Sequence, residues 1–259
     1  MPMERQMSQR PPQATEHAAA LASRVLASLQ GRPKARPGRV AGRVCPRALS
    51  MLFEASLAAE FDRCETIRAL CEMGLDHDEI ADSYVPAAAR QLGCDWVENT
   101  LSFARVTVAA GRLQEMLGGL AKANDIVTAS HRAAPNVLVV SFENDQHTVG
   151  WKLVTLQLRR LGAAAHAMLD ATPQDAAEVL EQVSYDLVLV SSSRIDVGAR
   201  IGEMIDFLRA RMVDVPPVVL GGIVVDLLDG AKPHADIVAV TNCLGAALTH
   251  KKRKPAPKT

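Results

Sequence analysis

Residues Val137–Phe142 form a nearly unbroken apolar run dominated by valine, the composition of a strand buried on both faces of a parallel sheet. A polar loop follows, Glu143-Asn144-Asp145-Gln146-His147. From Gly150 onward, Trp151, Val154, Leu158 and Leu161 recur at helical spacing. A buried strand that passes through a short polar loop into an amphipathic helix opens a βα unit, and such units stack into parallel sheets covered by helices. An aspartate and a histidine therefore stand at the carboxyl end of a first parallel strand. Open α/β sheets bind their ligands at that end.

The alternation continues downstream. Ala163–Leu169 reads as a second strand, and Pro173–Val183 as a helix with proline in its first turn. Leu187–Val190 is a third strand ending in Ser191-Ser192-Ser193, followed by a helix over Val197–Met212. Val218–Leu220 is a fourth strand ending in Gly221-Gly222, and Asp236–Val240 a fifth, with a short helix through Leu248. Five strands alternating with helices predict an α/β fold, a doubly wound parallel sheet in the flavodoxin-like order.

Upstream the pattern is helical. Leu49, Leu52, Phe53, Leu57 and Phe61 share one face, and Ile67, Leu70 and Cys71 begin another that Gly74 terminates. Asp76 with Glu79 three residues on is a capping-box arrangement. Tyr84-Val-Pro86 reads as a break before a helix through Gly93, and Trp96–Leu117 as a long closing helix. Trp96 then falls near a helix entry, with Phe103 two turns later on the same face. That stripe suits core packing, and it equally suits a flat apolar lid over a large planar ligand.

The expected organisation is a basic, largely disordered arm over 1–48, a helical-bundle cap over 49–130, the α/β domain over 131–250, and a basic disordered tail over 251–259. Net charge is zero, but residues 1–48 carry nine Lys/Arg against Glu4 and Glu16, and His250–Thr259 carries five more cations. The remainder holds 15 basic and 27 acidic side chains, so basic ends flank an acidic body. Such ends suit weak or indirect contact with DNA, or plain solvation. Neither a helix-turn-helix nor a zinc-finger wording is present. The five cysteines are scattered without a C-x-x-C, which fits buried thiols in a reducing cytoplasm. No stretch reaches the roughly 18–20 apolar residues of a membrane span, and no signal-peptide core is visible. No phosphate loop, H-E-x-x-H or Ser-His-Asp wording appears, so a non-enzyme is expected.

Asp145-Gln-His147-Thr-Val-Gly150 spells D-x-H-x-x-G. This resembles the signature of cobalamin-binding domains of the methionine-synthase and mutase type. The resemblance implies that His147 is the lower cobalt ligand, that Asp145 orients it, and that Thr148, Val149 and Gly150 border the displaced nucleotide tail. The chemistry suits a neutral imidazole, a borderline-soft donor whose tautomer a hydrogen-bonded partner fixes. In that family the motif continues as S-x-L and G-G at gaps very similar to those leading here to Ser191 and to Gly221-Gly222. Ser191, Ser193, Gly221 and Gly222 are thus implied to line the tail pocket, with Ser193 standing where the family has leucine.

A helical bundle directly before such a domain is similar to the cap of corrinoid carrier proteins and CarH-type photoreceptors. The wording LGCDWVENTLSFARVTVAAGRLQ looks more specifically like the AerR/PpaA regulators of purple-bacterial photosynthesis genes. The resemblance covers about residues 48–248. It implies Trp96 and Phe103 over the upper face of the cofactor, and a PpsR/CrtJ-type repressor as partner of an antirepressor. The Glu-His that supplies an upper cobalt ligand in CarH-type caps is replaced by Val106 and Thr107. Cobalamin in adenosyl, methyl or hydroxo form is the implied cofactor, and a light-responsive regulator the expected function. A corrinoid methyl carrier of a methyltransferase system and a haem-binding redox sensor stand as alternatives.

Overall fold

The computed structural model describes residues 44–124, 134–145 and 148–252. Most of the basic arm and tail therefore lies outside the described residues. The cap begins with α1 (Pro46–Leu57), α2 (Arg63–Glu72) and the short α3 (His77–Glu79). A π-helical turn, Ile80–Tyr84, leads from α3 into α4 (Val85–Val97), and α5 (Phe103–Asn124) closes the bundle.

Local signals set several of these boundaries. Proline occupies the first turn of α1, where its missing N–H costs nothing. Gly74, at φ +92°, ends α2: its N–H reaches Cys71 O, and that of Leu75 reaches Leu70 O. Asp76 and Glu79 complete the expected capping box. The end of α1 has neither a glycine nor a basic residue in its last turn. Arg112 of α5 supplies the missing donors, bonding the carbonyls of Ser56 (2.9 Å), Ala58 (2.6 Å) and Ala59 (3.2 Å) while lying over the Phe61 ring.

Two expectations for the cap are corrected. The chain does not break at Tyr84-Val-Pro86. Pro86 has no N–H and its ring would press on the carbonyl four residues back, and the wider π turn absorbs both problems. Its closing bond runs from the Val85 N–H to Ile80 O. Nor does Trp96 stand at a helix entry. It lies in the last turn of α4, and the chain reverses through Glu98–Ser102, with Asn99 at φ 58°, before Phe103 opens α5.

The second half is a five-stranded, all-parallel sheet in the order β2-β1-β3-β4-β5, the flavodoxin-like order expected. Its strands are β1 (Asn136–Phe142), β2 (Ala164–Ala171), β3 (Leu187–Ser191), β4 (Val218–Gly221) and β5 (Ile237–Val240). Their connections carry α6 (Thr148–Arg160), α7 (Pro173–Gln182), α8 (Val197–Arg209) and the short α9 (Val224–Leu227), with α10 (Leu244–Leu248) last. β2 runs two residues past its expected end because the β1–β2 pairing shifts register between Val140 and Phe142.

Alternate residues of β1 serve opposite cores, as a period of two requires. Leu138, Val140 and Phe142 face α7 and α8, whereas Val137 and Val139 face α6 and α10. Helix α6 is buried on two sides. Trp151, Val154 and Leu158 pack on the sheet, and Val149, Leu153 and Leu156 pack into the cap core beside Leu113 and Leu120. The cap thus sits on the helix that follows the β1 loop. Among the described residues no helix is long and apolar enough to cross a membrane.

Candidate functional site

In the observed strand order the chain runs from β1 outward to β2, then returns past β1 to β3. The loops after β1 and β3 therefore diverge, leaving a crevice at their carboxyl ends. Into this crevice the β1 loop sends Asp145. The Asp145 N–H bonds Phe142 O at 3.2 Å, and Asn144 adopts φ 64°, a conformation asparagine tolerates well. This tight turn aims the carboxylate at the β3 loop.

Three donors meet it there. Ser192 Oγ donates to Asp145 Oδ2 at 2.7 Å, Ser193 N–H to the same oxygen at 2.8 Å, and Ser193 Oγ to Oδ1 at 2.8 Å. Both serines are buried. Glu143, two residues earlier, pairs with Arg200 of α8 at 2.9 Å, so the β1 loop is tied at two points. Arg194 grips Asp196 with two bonds, at 2.8 and 2.5 Å. That pairing holds the Asp196 carboxyl below the usual carboxylate range and raises the guanidinium further above its own, with the Asp145 charge adding to the latter.

The β4 and β5 loops complete the edge. Gly222 has φ +98°, and a Cβ there would stand 2.4 Å from Ser192 O and 2.8 Å from Ser192 N. Only glycine permits that approach. Asn242 clasps the same residue, accepting from Gly222 N–H at 2.7 Å and donating to Gly222 O at 3.2 Å. A Cβ on Gly221 would meet Thr241 O at 3.2 Å. Gly150, in the first turn of α6, differs: among the described residues a Cβ there would meet only Ser191 Oγ, at 3.6 Å. Among the described residues nothing demands glycine at 150, and a helical glycine is less favourable than alanine by roughly 0.8–1 kcal/mol. A methyl group at 150 would make an ordinary van der Waals contact with Ser191 Oγ. In the following residue, Trp151, Nε1 is buried without a hydrogen-bond partner among the described residues.

The structure thus brings Asp145, Gly150, Ser191, Ser193, Gly221 and Gly222 to one edge. His147 and the Thr148 side chain lie outside the described residues. Val149 directs its side chain to the cap core. Trp96 and Phe103 form a ring pair on the cap, centroids 6.3 Å apart and tilted 56°, with 45% and 65% of their surfaces exposed. They are not core residues. Ser192, Asn242, Glu143 and Arg200 do not stand out in the sequence. Asn242 follows a strand at the ligand-binding end, a placement that could have marked it.

No family model matches the chain. What the fold and edge define is a helical cap seated on a doubly wound α/β domain with a polar crevice at its switch point. The "Uncharacterized 20.5 kDa protein in bchF-crtJ intergenic region" of Rhodobacter capsulatus is 30% identical over 179 residues, covering 66% of this chain and 90% of that protein. The chain belongs to the family of that protein. The methanol:cobalamin methyltransferase complex of Methanosarcina barkeri aligns over 83% of this chain and 82% of its own, at 17% identity and TM-score 0.37. A cobalamin-binding protein from Desulfitobacterium hafniense aligns over 76% and 91%, at 12% identity and TM-score 0.35. At scores this low the fold rests on the strand order and register described above.

Proposed function

We propose that this protein binds cobalamin with the cofactor's own base displaced and His147 as lower ligand to cobalt. In this reading it is a non-enzymatic, light-responsive regulator of transcription in the cytoplasm, an antirepressor working through a PpsR/CrtJ-type repressor. The observation that carries the cofactor reading is the Asp145 carboxylate, fixed by three hydrogen bonds at the switch point two residues before His147. A ligating imidazole needs an acceptor for its second ring N–H, and that acceptor sets its tautomer and plane. A carboxylate two residues away in the chain is an acceptor of that kind.

The space at Gly150 suits the displaced tail, with the Ser191 hydroxyl as donor. Bound cobalamin supplies an alkyl–cobalt bond that visible light cleaves. The exposed Trp96–Phe103 pair offers flat apolar surface for its upper face. Support for the regulatory half is contextual. The Rhodobacter relative's designation places it beside crtJ, the name shared by the repressor type that the cap wording implies.

The test is an absorption spectrum of protein loaded with adenosylcobalamin, dark and illuminated, for wild type and His147→Ala. A light-converted species that persists in wild type and is lost in the variant is the expected result, followed by capture of the repressor. Cobalamin retained with no lasting light product would favour a methyl carrier. An affinity and spectrum indifferent to His147→Ala would overturn the ligand assignment, and haem would be tried where no corrinoid binds.

A further inference from the structure

Helix α6 starts at Thr148, directly after His147 in the chain, and ends at Arg160. A 13-residue helix is roughly 20 Å long and moves as a rod, so a displacement at its first turn reaches its last. In that last turn Gln157 and Arg160 lie on one face and meet the same cap residue. Gln157 Nε2 donates to Asp82 Oδ1 at 2.9 Å and Arg160 Nη2 to the same oxygen at 2.5 Å. Arg160 also pairs with Asp78, and its side chain is only 16% exposed, so this contact is more than a loose surface pair.

Asp82 is the middle residue of the π-helical turn. Such a turn carries one residue more than an α-helical turn, and shifting the extra residue along the chain swings a side chain by about 100° around the axis. Sliding the extra residue would give the turn a second, discrete arrangement. Its last residue, Tyr84, is buried in the cap core, and its hydroxyl accepts from the Cys45 N–H at 2.9 Å. Cys45 precedes α1 and gives that helix no side-chain cap. One five-residue turn thus holds the end of α6 through Asp82 and the start of α1 through Tyr84.

We infer that the π turn Ile80–Tyr84 is a relay that couples the β1 loop to the beginning of the cap, by way of α6, Asp82 and Tyr84. Its use as a cofactor-driven switch rests on the cobalamin reading above, whereas the mechanical coupling does not. A relay of this kind needs a two-state element that both ends bias, and in this proposal the π turn takes that part. Asp82 is here a positioning residue, and Tyr84 the contact that delivers the change.

Amide hydrogen exchange on the full chain tests the relay without any ligand. Asp145→Ala loosens the β1 loop, and the relay predicts faster exchange, by about tenfold, at the Cys45 amide and the first turn of α1. In Asp82→Ala, or in Asp82→Asn should alanine unfold the cap, adding Asp145→Ala should leave those amides unchanged. Tyr84→Phe should abolish the response at Cys45 while preserving the melting cooperativity of the cap. Equal responses with and without Asp82 would overturn the relay, as would no response at Cys45 in Asp145→Ala. Hydroxocobalamin added to the same variants separates the two ideas. Its failure to bind would defeat the cofactor assignment, while the exchange rates alone decide the relay.

Discussion

The carboxyl edge of the sheet is built in two halves that treat glycine in opposite ways. On the β3–β4–β5 side, Gly222 lets one loop backbone lie against another, and Asn242 clasps it with two hydrogen bonds. On the β1–α6 side, Gly150 stands before Ser191 with room between them. The first glycine is required by the chain itself. Nothing among the described residues requires the second. Paired glycines in a binding motif are easily credited with clearing space for a ligand, whereas Gly222 is needed here for the packing of two loops.

The largest effect should come from the closed side. Gly222→Ala must displace the Ser192 backbone and hold alanine at positive φ, a cost of about 3–5 kcal/mol. Urea unfolding would measure it, and a loss below about 1 kcal/mol would mean that the loops part easily. Asp145→Ala comes next. It strips the acceptor from two buried serines and should cost about 2–3 kcal/mol in the same assay. The smallest effect, of opposite sign, belongs to the open side. Gly150→Ala should stabilise the protein by up to about 1 kcal/mol while weakening cobalamin binding, measured by titration of the corrinoid spectrum. If Gly150→Ala binds cobalamin as wild type does, the space at Gly150 is not the tail site.

Much of this architecture is legible in the sequence because its signals are local. The valine-rich β1, the stop at Gly74 and the Asp76–Glu79 box each depend on neighbours within a few residues. The expectations that fail involve signals with more than one physical outcome. Pro86 forbids an ordinary turn, but a π turn satisfies it as well as a break does. The reversal after Trp96 carries no glycine or proline; it is made by Asn99 and by the Thr100 and Leu101 amides folding back on Asp95 O. At the site, Ser193 reads in sequence as the loss of a packing leucine. Its hydroxyl proves to be a donor to a carboxylate 48 residues earlier in the chain, a pairing that only the assembled sheet creates.

The far end of the chain offers a practical opening. Lys252 fastens itself to the opposite edge of the sheet: its N–H bonds Asp186 O at 2.8 Å and its Nζ reaches Asp214 at 2.7 Å, while Asp186 also accepts the Asn136 N–H. A dye attached at the exposed His250, two residues before this staple, would sit a strand length from the crevice, roughly 17 Å. A fluorophore there can report energy transfer to a coloured ligand at the other end without touching any residue that binds it.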